Sequence, residues 1–214
     1  METGRAGHLG KRSTVIESFM VRYIDDFVIC FQYRTDALRV QQALRKRLAK
    51  FGLELEPNKT QLIEFGRFAD RYASKGGRKR PETLYFLGFT IYCTRNRKGN
   101  FKVGFRTEKC RLHRSLANLC DLMRRMRHLS VKEQVINLNR VLRGHYAYYG
   151  IAGNLRALQW VYRAVERYWR FMLRSSNREG RMTWEIFNKI EARFLLQRPR
   201  LVLPYPRLQA LAVL

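Results

Sequence analysis

At 214 residues the chain has room for one large domain or two small ones, and a 46% hydrophobic, 13% aromatic composition excludes a disordered basic tail. Forty-three Lys and Arg oppose 17 Asp and Glu, and a globular chain with this +26 balance points to nucleic acid ahead of a membrane surface or a ribosomal-type structural role. No charge-free apolar run approaches the ~18 residues of a membrane span, and no signal-peptide stretch opens the chain, so bacterial-type cytoplasm or an organelle matrix is the expected location. Cys30, Cys93, Cys110 and Cys120 stand too far apart for a zinc signature, and free thiols, mostly buried, are expected.

Residues 1–18, rich in Gly, Arg and Lys, are expected to form a flexible leader. From Phe19 to Phe31 two apolar, β-favouring runs flank an acidic pair, which predicts a hairpin with Asp25 and Asp26 at or beside its turn. A helix follows over 35–51, with Leu38, Gln41, Leu44, Leu48 and Phe51 on one side and Gly52 closing it. Residues 53–55 and 60–65 predict a second hairpin through Pro57-Asn58-Lys59. The basic, Gly-containing stretch 66–83 reads as a mobile loop, and strands are expected at 84–93 and 101–106.

Beyond Thr107 the pattern turns helical, with helices predicted near 108–127, 131–149, 155–175 and 183–195. Ser130 with Glu133 forms a capping-box signature for the second, and Asn154 is placed to cap the third. Pro199, Pro204 and Pro206 exclude a long helix at the end. The class is therefore α+β, divided into a leader (1–18), a sheet-bearing region (19–106) and a helical region (107–214).

Two adjacent aspartates between apolar strands are costly to bury, and in a basic chain they form a hard-oxygen site suited to Mg²⁺. Two such ions about 3.5–4 Å apart can activate a primer hydroxyl and stabilise a leaving pyrophosphate. The plainer reading is a turn whose aspartates pair with a neighbour such as Arg22.

The run Arg22-Tyr23-Ile24-Asp25-Asp26-Phe27-Val28-Ile29 carries Tyr-x-Asp-Asp between apolar strands. Gly52-Leu53-Glu54-Leu55 with Asn58-Lys59-Thr60 follows, and then Phe86-Leu87-Gly88-Phe89. In this order the blocks resemble the palm of the group II intron reverse transcriptase/maturase family, although that family commonly has Ala where this chain has Ile24. The segment 138–149, Leu-Asn-Arg-Val-Leu-Arg-Gly-His-Tyr-Ala-Tyr-Tyr, resembles the family's maturase-specific thumb region, as do Trp184-Glu185-Ile186-Phe187-Asn188 and Pro199-Arg200-Leu201-Val202. The resemblance spans about residues 19–207.

It implies a partial antiparallel palm sheet followed by a helical thumb/maturase domain, RNA-directed DNA synthesis, and assistance in splicing. Asp25 and Asp26 would be catalytic Mg²⁺ ligands of a two-metal site, and Tyr23 and Lys59 would meet nucleotide or primer. Group II intron RNA and an RNA template with a DNA primer would be partners. The departure lies upstream, where the acids are Glu2 and Glu17 and neither stands in a block like the family's first palm motif. The metal cage is expected to be incomplete and the chain inactive alone as a polymerase, with a separate chain as a possible source of the fingers and the missing motif. The alternative is a non-catalytic RNA-binding splicing cofactor.

In the helical half, Arg124, Arg125, Arg140, Arg143, Arg163 and Arg167 are the expected RNA contacts, with Arg170 beside them. Aromatics at helical spacing are more often core, so Tyr146, Trp160, Tyr168 and Trp169 are assigned inward, as are Leu138, Val141 and Leu142. Gly144 within a helical pattern implies close packing or a kink, and His145 a packing or RNA hydrogen-bonding role.

Overall fold

The computed structural model describes residues 18–176 and 182–212, so the expected leader, with Glu2 and Glu17, lies outside the described residues apart from Ser18. Helix and strand mix as expected for an α+β chain. The described chain groups into two compact units, dividing between Glu64 and Phe65. The division drawn from sequence at 106/107 falls within the last strand (Phe101–Thr107), just ahead of the helix that starts at Lys109.

In the first unit, β1 (Ser18–Tyr23) and β2 (Asp26–Phe31) form an antiparallel hairpin closed by the pair Tyr23 and Asp26. Helix α1 (Arg34–Ala49) follows and packs on β2. Among the described residues of this unit only Ala37 is buried, and Phe19, Tyr33, Phe51 and Leu53 are exposed. The predicted second hairpin is not formed. Residues 53–56 and 60–65 lack strand structure, and the intervening turn is held by the Thr60 N–H and hydroxyl, which both donate to the Glu56 carbonyl at 2.9 Å. Extended segments become strands only by sharing a hydrogen-bond ladder, and among the described residues neither segment is paired.

The second unit opens with a short helix, α2 (Ala69–Lys75), where a mobile loop was expected. Burial of Ala69 and Ala73 orders it, and Arg95 pairs with Asp70 at 3.5 Å. Strands β3 (Thr83–Phe86), β4 (Phe89–Arg95) and β5 (Phe101–Thr107) then form an antiparallel sheet in the order β3-β4-β5. The helices follow closely where periodicity placed them: α3 (Lys109–Arg125), α4 (Val131–Tyr149), α5 (Leu155–Ser176) and α6 (Trp184–Arg193). A short α7 (Tyr205–Ala212) carries Pro206 in its first turn, where no helical N–H is lost.

The core of this unit lies among α3, α4, α5 and α6. Leu138, Leu142, Tyr146, Leu158, Val161, Trp169 and Phe187 are all buried there, and the Trp169 and Phe187 rings meet edge to face at 5.3 Å. The Trp169 indole N–H donates to Gln134 Oε1 at 2.9 Å, and Gln134 Nε2 donates to the Leu129 carbonyl, so this buried pair is matched. The Tyr146 hydroxyl in the same core has no hydrogen-bond partner among the described residues. The capping box of Ser130 and Glu133 forms as expected.

Other expectations need correction. Val141 and Trp160 are exposed rather than core, and Tyr168 is half-buried. Cys30 and Cys110 are exposed and Cys93 and Cys120 half-buried, so the thiols are free but not deep. Gly144 has no heavy atom within 4 Å of the position a Cβ would take, so close packing is not its reason. Gly150 does have one: a Cβ there would stand 3.0 Å from both the Arg200 carbonyl and the Val202 N–H. This is where the chain after α6 crosses the end of α4, with Val202 and Leu203 both donating to the Gly150 carbonyl.

Candidate functional site

The acidic pair occupies the turn of the β1–β2 hairpin. Ile24 and Asp25 are its two central residues, and Asp26 begins β2 opposite Tyr23. Ile24 has φ +57°, whereas Asp25 stays at negative φ, the pattern of a type II′ turn, which matches the twist of its strands. Such a turn normally has glycine at its first central position, so the branched Ile24 is strained. Arg22 holds the turn, its Nε donating to the Ile24 carbonyl at 2.7 Å.

That contact decides against a simple salt-bridged turn. Arg22 satisfies the backbone, and among the described residues neither Asp25 nor Asp26 forms an ion pair. Both carboxylates and the Tyr23 ring, 52% exposed, face solvent. The donor set is chemically suited to Mg²⁺, being two hard oxygen ligands with room for water and phosphate. Its count is short: among the described residues no cluster of three or more His, Cys, Asp or Glu side chains is assembled. Lys59 is exposed on the turn after α1, its N–H donating to the Glu56 carbonyl. No hydrogen bond or ion pair joins it to either aspartate among the described residues.

In the second unit, sequence blocks widely separated along the chain meet. Phe86-Leu87-Gly88-Phe89 is a two-residue hairpin turn with both central residues at positive φ, Leu87 at +49° and Gly88 at +72°. The end of α4 reads this turn directly. Tyr148 donates its hydroxyl to the Leu87 carbonyl at 2.9 Å, and the Phe89 ring stacks on Tyr148 at 5.9 Å and tilts against Tyr149 at 5.3 Å. His145 packs on Tyr149 at 4.8 Å, and burial pushes its pKa below the ordinary imidazole value. The His-Tyr-Ala-Tyr-Tyr segment thus serves as a dock for the sheet.

Asn154 makes the second link. Its Oδ1 accepts from the Thr107 N–H at 2.9 Å, and its Nδ2 donates to Thr107 Oγ1 and to the Tyr149 carbonyl. The sequence assigned this side chain to cap α5. The helix does begin there through the Asn154 carbonyl, but the amide ties β5 to α4 instead.

Arg124, Arg125, Arg140, Arg143, Arg163 and Arg167 are all exposed and Arg170 is half-buried, and they are not one cluster. Arg163 and Arg167 line a groove between α3 and α5. Arg124 reaches the same place, its guanidinium 5.7 Å from the centre of the Tyr168 ring while it pairs with Asp121 at 2.8 Å. Arg125 ends α3, and Arg140 and Arg143 stand on α4, with Arg143 Nε donating to the Asn139 carbonyl. Arg170 is engaged internally, lying 4.1 Å from the Trp184 ring centre and donating to the Met182 carbonyl. Sequence reasoning passed over Phe171, which lines the groove with Trp160. The signal was available in the spacing Trp160, Ala164, Tyr168, Phe171, a second apolar stripe beside the buried one.

A hairpin bearing two solvent-facing carboxylates beside a tyrosine, followed by a helix, is consistent with the partial palm expected from the sequence. Residues 6–91 match the family model for reverse transcriptase (RNA-dependent DNA polymerase). The match takes in β1, β2, α1, α2 and β3 and ends within β4, ahead of the helical region. No curated protein matches the chain. Among the described residues no helix is long and apolar enough to cross a membrane.

Proposed function

We propose that the protein is a palm-and-thumb portion of a group II intron-encoded reverse transcriptase/maturase that binds intron RNA and presents Asp25 and Asp26 to Mg²⁺. The observation that carries this reading is the exposed Tyr23-to-Asp26 turn, inside a segment that matches reverse transcriptases. The two carboxylates supply part of a two-metal site, and metal placement stabilises the charge that builds up during nucleotide transfer. A further carboxylate must join them for synthesis. A separate chain bringing fingers and another palm aspartate is the proposed source, with Tyr23 and Lys59 meeting nucleotide or primer.

Primer extension on an RNA template tests the polymerase claim. The chain alone is expected to give negligible incorporation, and a complementing partner is expected to restore synthesis that Asp25→Ala abolishes. Synthesis indifferent to Asp25→Ala would overturn the assignment of the box.

A second reading, a non-catalytic RNA-binding splicing cofactor, is favoured by the exposed arginines on three helices of the second unit. Paired replacement of Arg140 and Arg143 separates the two: a splicing cofactor loses RNA affinity and splicing on that change and is unaffected by Asp25→Ala.

A further inference from the structure

Helix α5 carries two apolar stripes. Leu158, Val161, Val165, Trp169 and Met172 are buried in the core. The second stripe, Trp160, Ala164, Tyr168 and Phe171, lies about 100° further round the helix, at ~100° per residue. It forms one wall of an open groove of about 520 Å³, whose opposite wall is Leu116, Leu119 and Met123 of α3. Trp160 is 46% and Phe171 59% exposed, so large rings stand in water at both ends of the stripe. Trp160 and Phe171 are eleven positions apart, or ~16 Å along the axis, the length of about three helical turns. Arg163 and Arg167 also line the groove, and Arg124 lies against Tyr168 while paired with Asp121 at 2.8 Å.

We propose that this groove docks an acidic amphipathic helix from a protein partner, its apolar anchors between Trp160 and Phe171 and its carboxylates against Arg163 and Arg167. The charge pattern selects this occupant. An apolar floor beside these two arginines complements a helix with leucines at i, i+3 or i+4, and i+7 and acids beside them. A second copy is disfavoured, because self-docking would bring the same arginines together on chains of formal charge +26. A nucleobase stacked on Trp160 or Phe171 is the competing occupant that the RNA arm of the test separates from this one. The proposal does not depend on the reverse-transcriptase reading.

The test uses the full chain and three fluorescein-labelled probes: a glutamate-rich synthetic helix with leucines in that spacing, a peptide of the same composition with scattered leucines, and a single-stranded RNA. The patterned helix is expected to bind about tenfold more tightly than the scattered one, and Phe171→Ser and Trp160→Ala each to weaken it about tenfold, as for buried aromatic anchors. RNA affinity should stay within about twofold in both variants, since neither removes a charge. Ala164→Trp, which fills the groove, should abolish peptide binding, and melting curves establish that each variant is folded. Equal binding of the two peptides, indifference to all three variants, or a parallel loss of RNA affinity in folded Phe171→Ser would each overturn the proposal.

Discussion

Ile24 is a branched residue at φ +57° with its side chain 72% exposed, so it bears a backbone cost that no packing offsets. Asparagine tolerates that conformation far better. Ile24→Asn is therefore expected to stabilise the β1–β2 hairpin by about 0.5–1 kcal/mol, read as slower hydrogen exchange of its cross-strand amides. Unchanged or faster exchange would mean the turn carries no strain. Asn154 is the opposite case, 1% exposed with both ends of its amide bonded. Asn154→Ala strands the buried Thr107 N–H, while the Tyr149 carbonyl keeps the Ile151 N–H at 2.8 Å, so urea denaturation should show a loss of about 1–3 kcal/mol. Asn154→Asp should also destabilise, because a carboxylate cannot donate to Thr107 Oγ1 or Tyr149. The sequence marked Asn154 as special from its place before α5. It did not show the true role, because Thr107 lies 47 residues away and is brought near only by the fold.

Between elements, the decisive joint is the 86–89 turn against the end of α4. A Cβ on Gly88 would stand 3.1 Å from the Tyr149 hydroxyl, at a φ of +72° that L-residues resist. Gly88→Ala is expected to cost about 1–2 kcal/mol in denaturant unfolding. The joint between α5 and α6 is instead pH-sensitive. Tyr162 donates to Glu191 at 2.6 Å, and burial, then the neighbouring Glu191, raises the Glu166 pKa above the ordinary 4.5. The folded chain thus retains a Glu166 proton where the unfolded chain has lost it. That contribution is fully present below the ordinary glutamate value and is lost as pH rises through the raised one. Glu166→Gln should flatten the fall in Tm as pH rises above the ordinary glutamate range, by no more than ~2 °C given solvent screening. A steeper fall in the variant would contradict the assigned cause. The long helices were legible because each repeats a 3.6-residue pattern over many turns, with caps such as Ser130-Glu133 written locally. The 53–65 segment was misread because strand propensity says nothing about whether a partner strand is present.

For the whole molecule, a formal charge of +26 sets how the proposed RNA contact should respond to salt. Affinity is expected to fall linearly on a log–log salt plot, with each phosphate contact adding about 0.7–0.9 to the slope. Alanine at both Arg140 and Arg143 should lower that slope by about 1–2, measured by anisotropy titrations across salt concentrations. A flat salt dependence would remove the electrostatic grip.

The sequence by itself determined the class of the fold, the course of the long helices and the place of the acidic pair on a hairpin turn. Each is written in local periodicity, in turn chemistry, or in the order of short blocks. Only the tertiary structure decided which groups are matched and which face water. It gave Arg22 to the turn carbonyl rather than to the aspartates, and turned Trp160 and Phe171 outward while Trp169 went in. The physical reason is that burial and pairing depend on what the rest of the chain brings alongside, and a helix with two apolar stripes does not say which one its own core will cover.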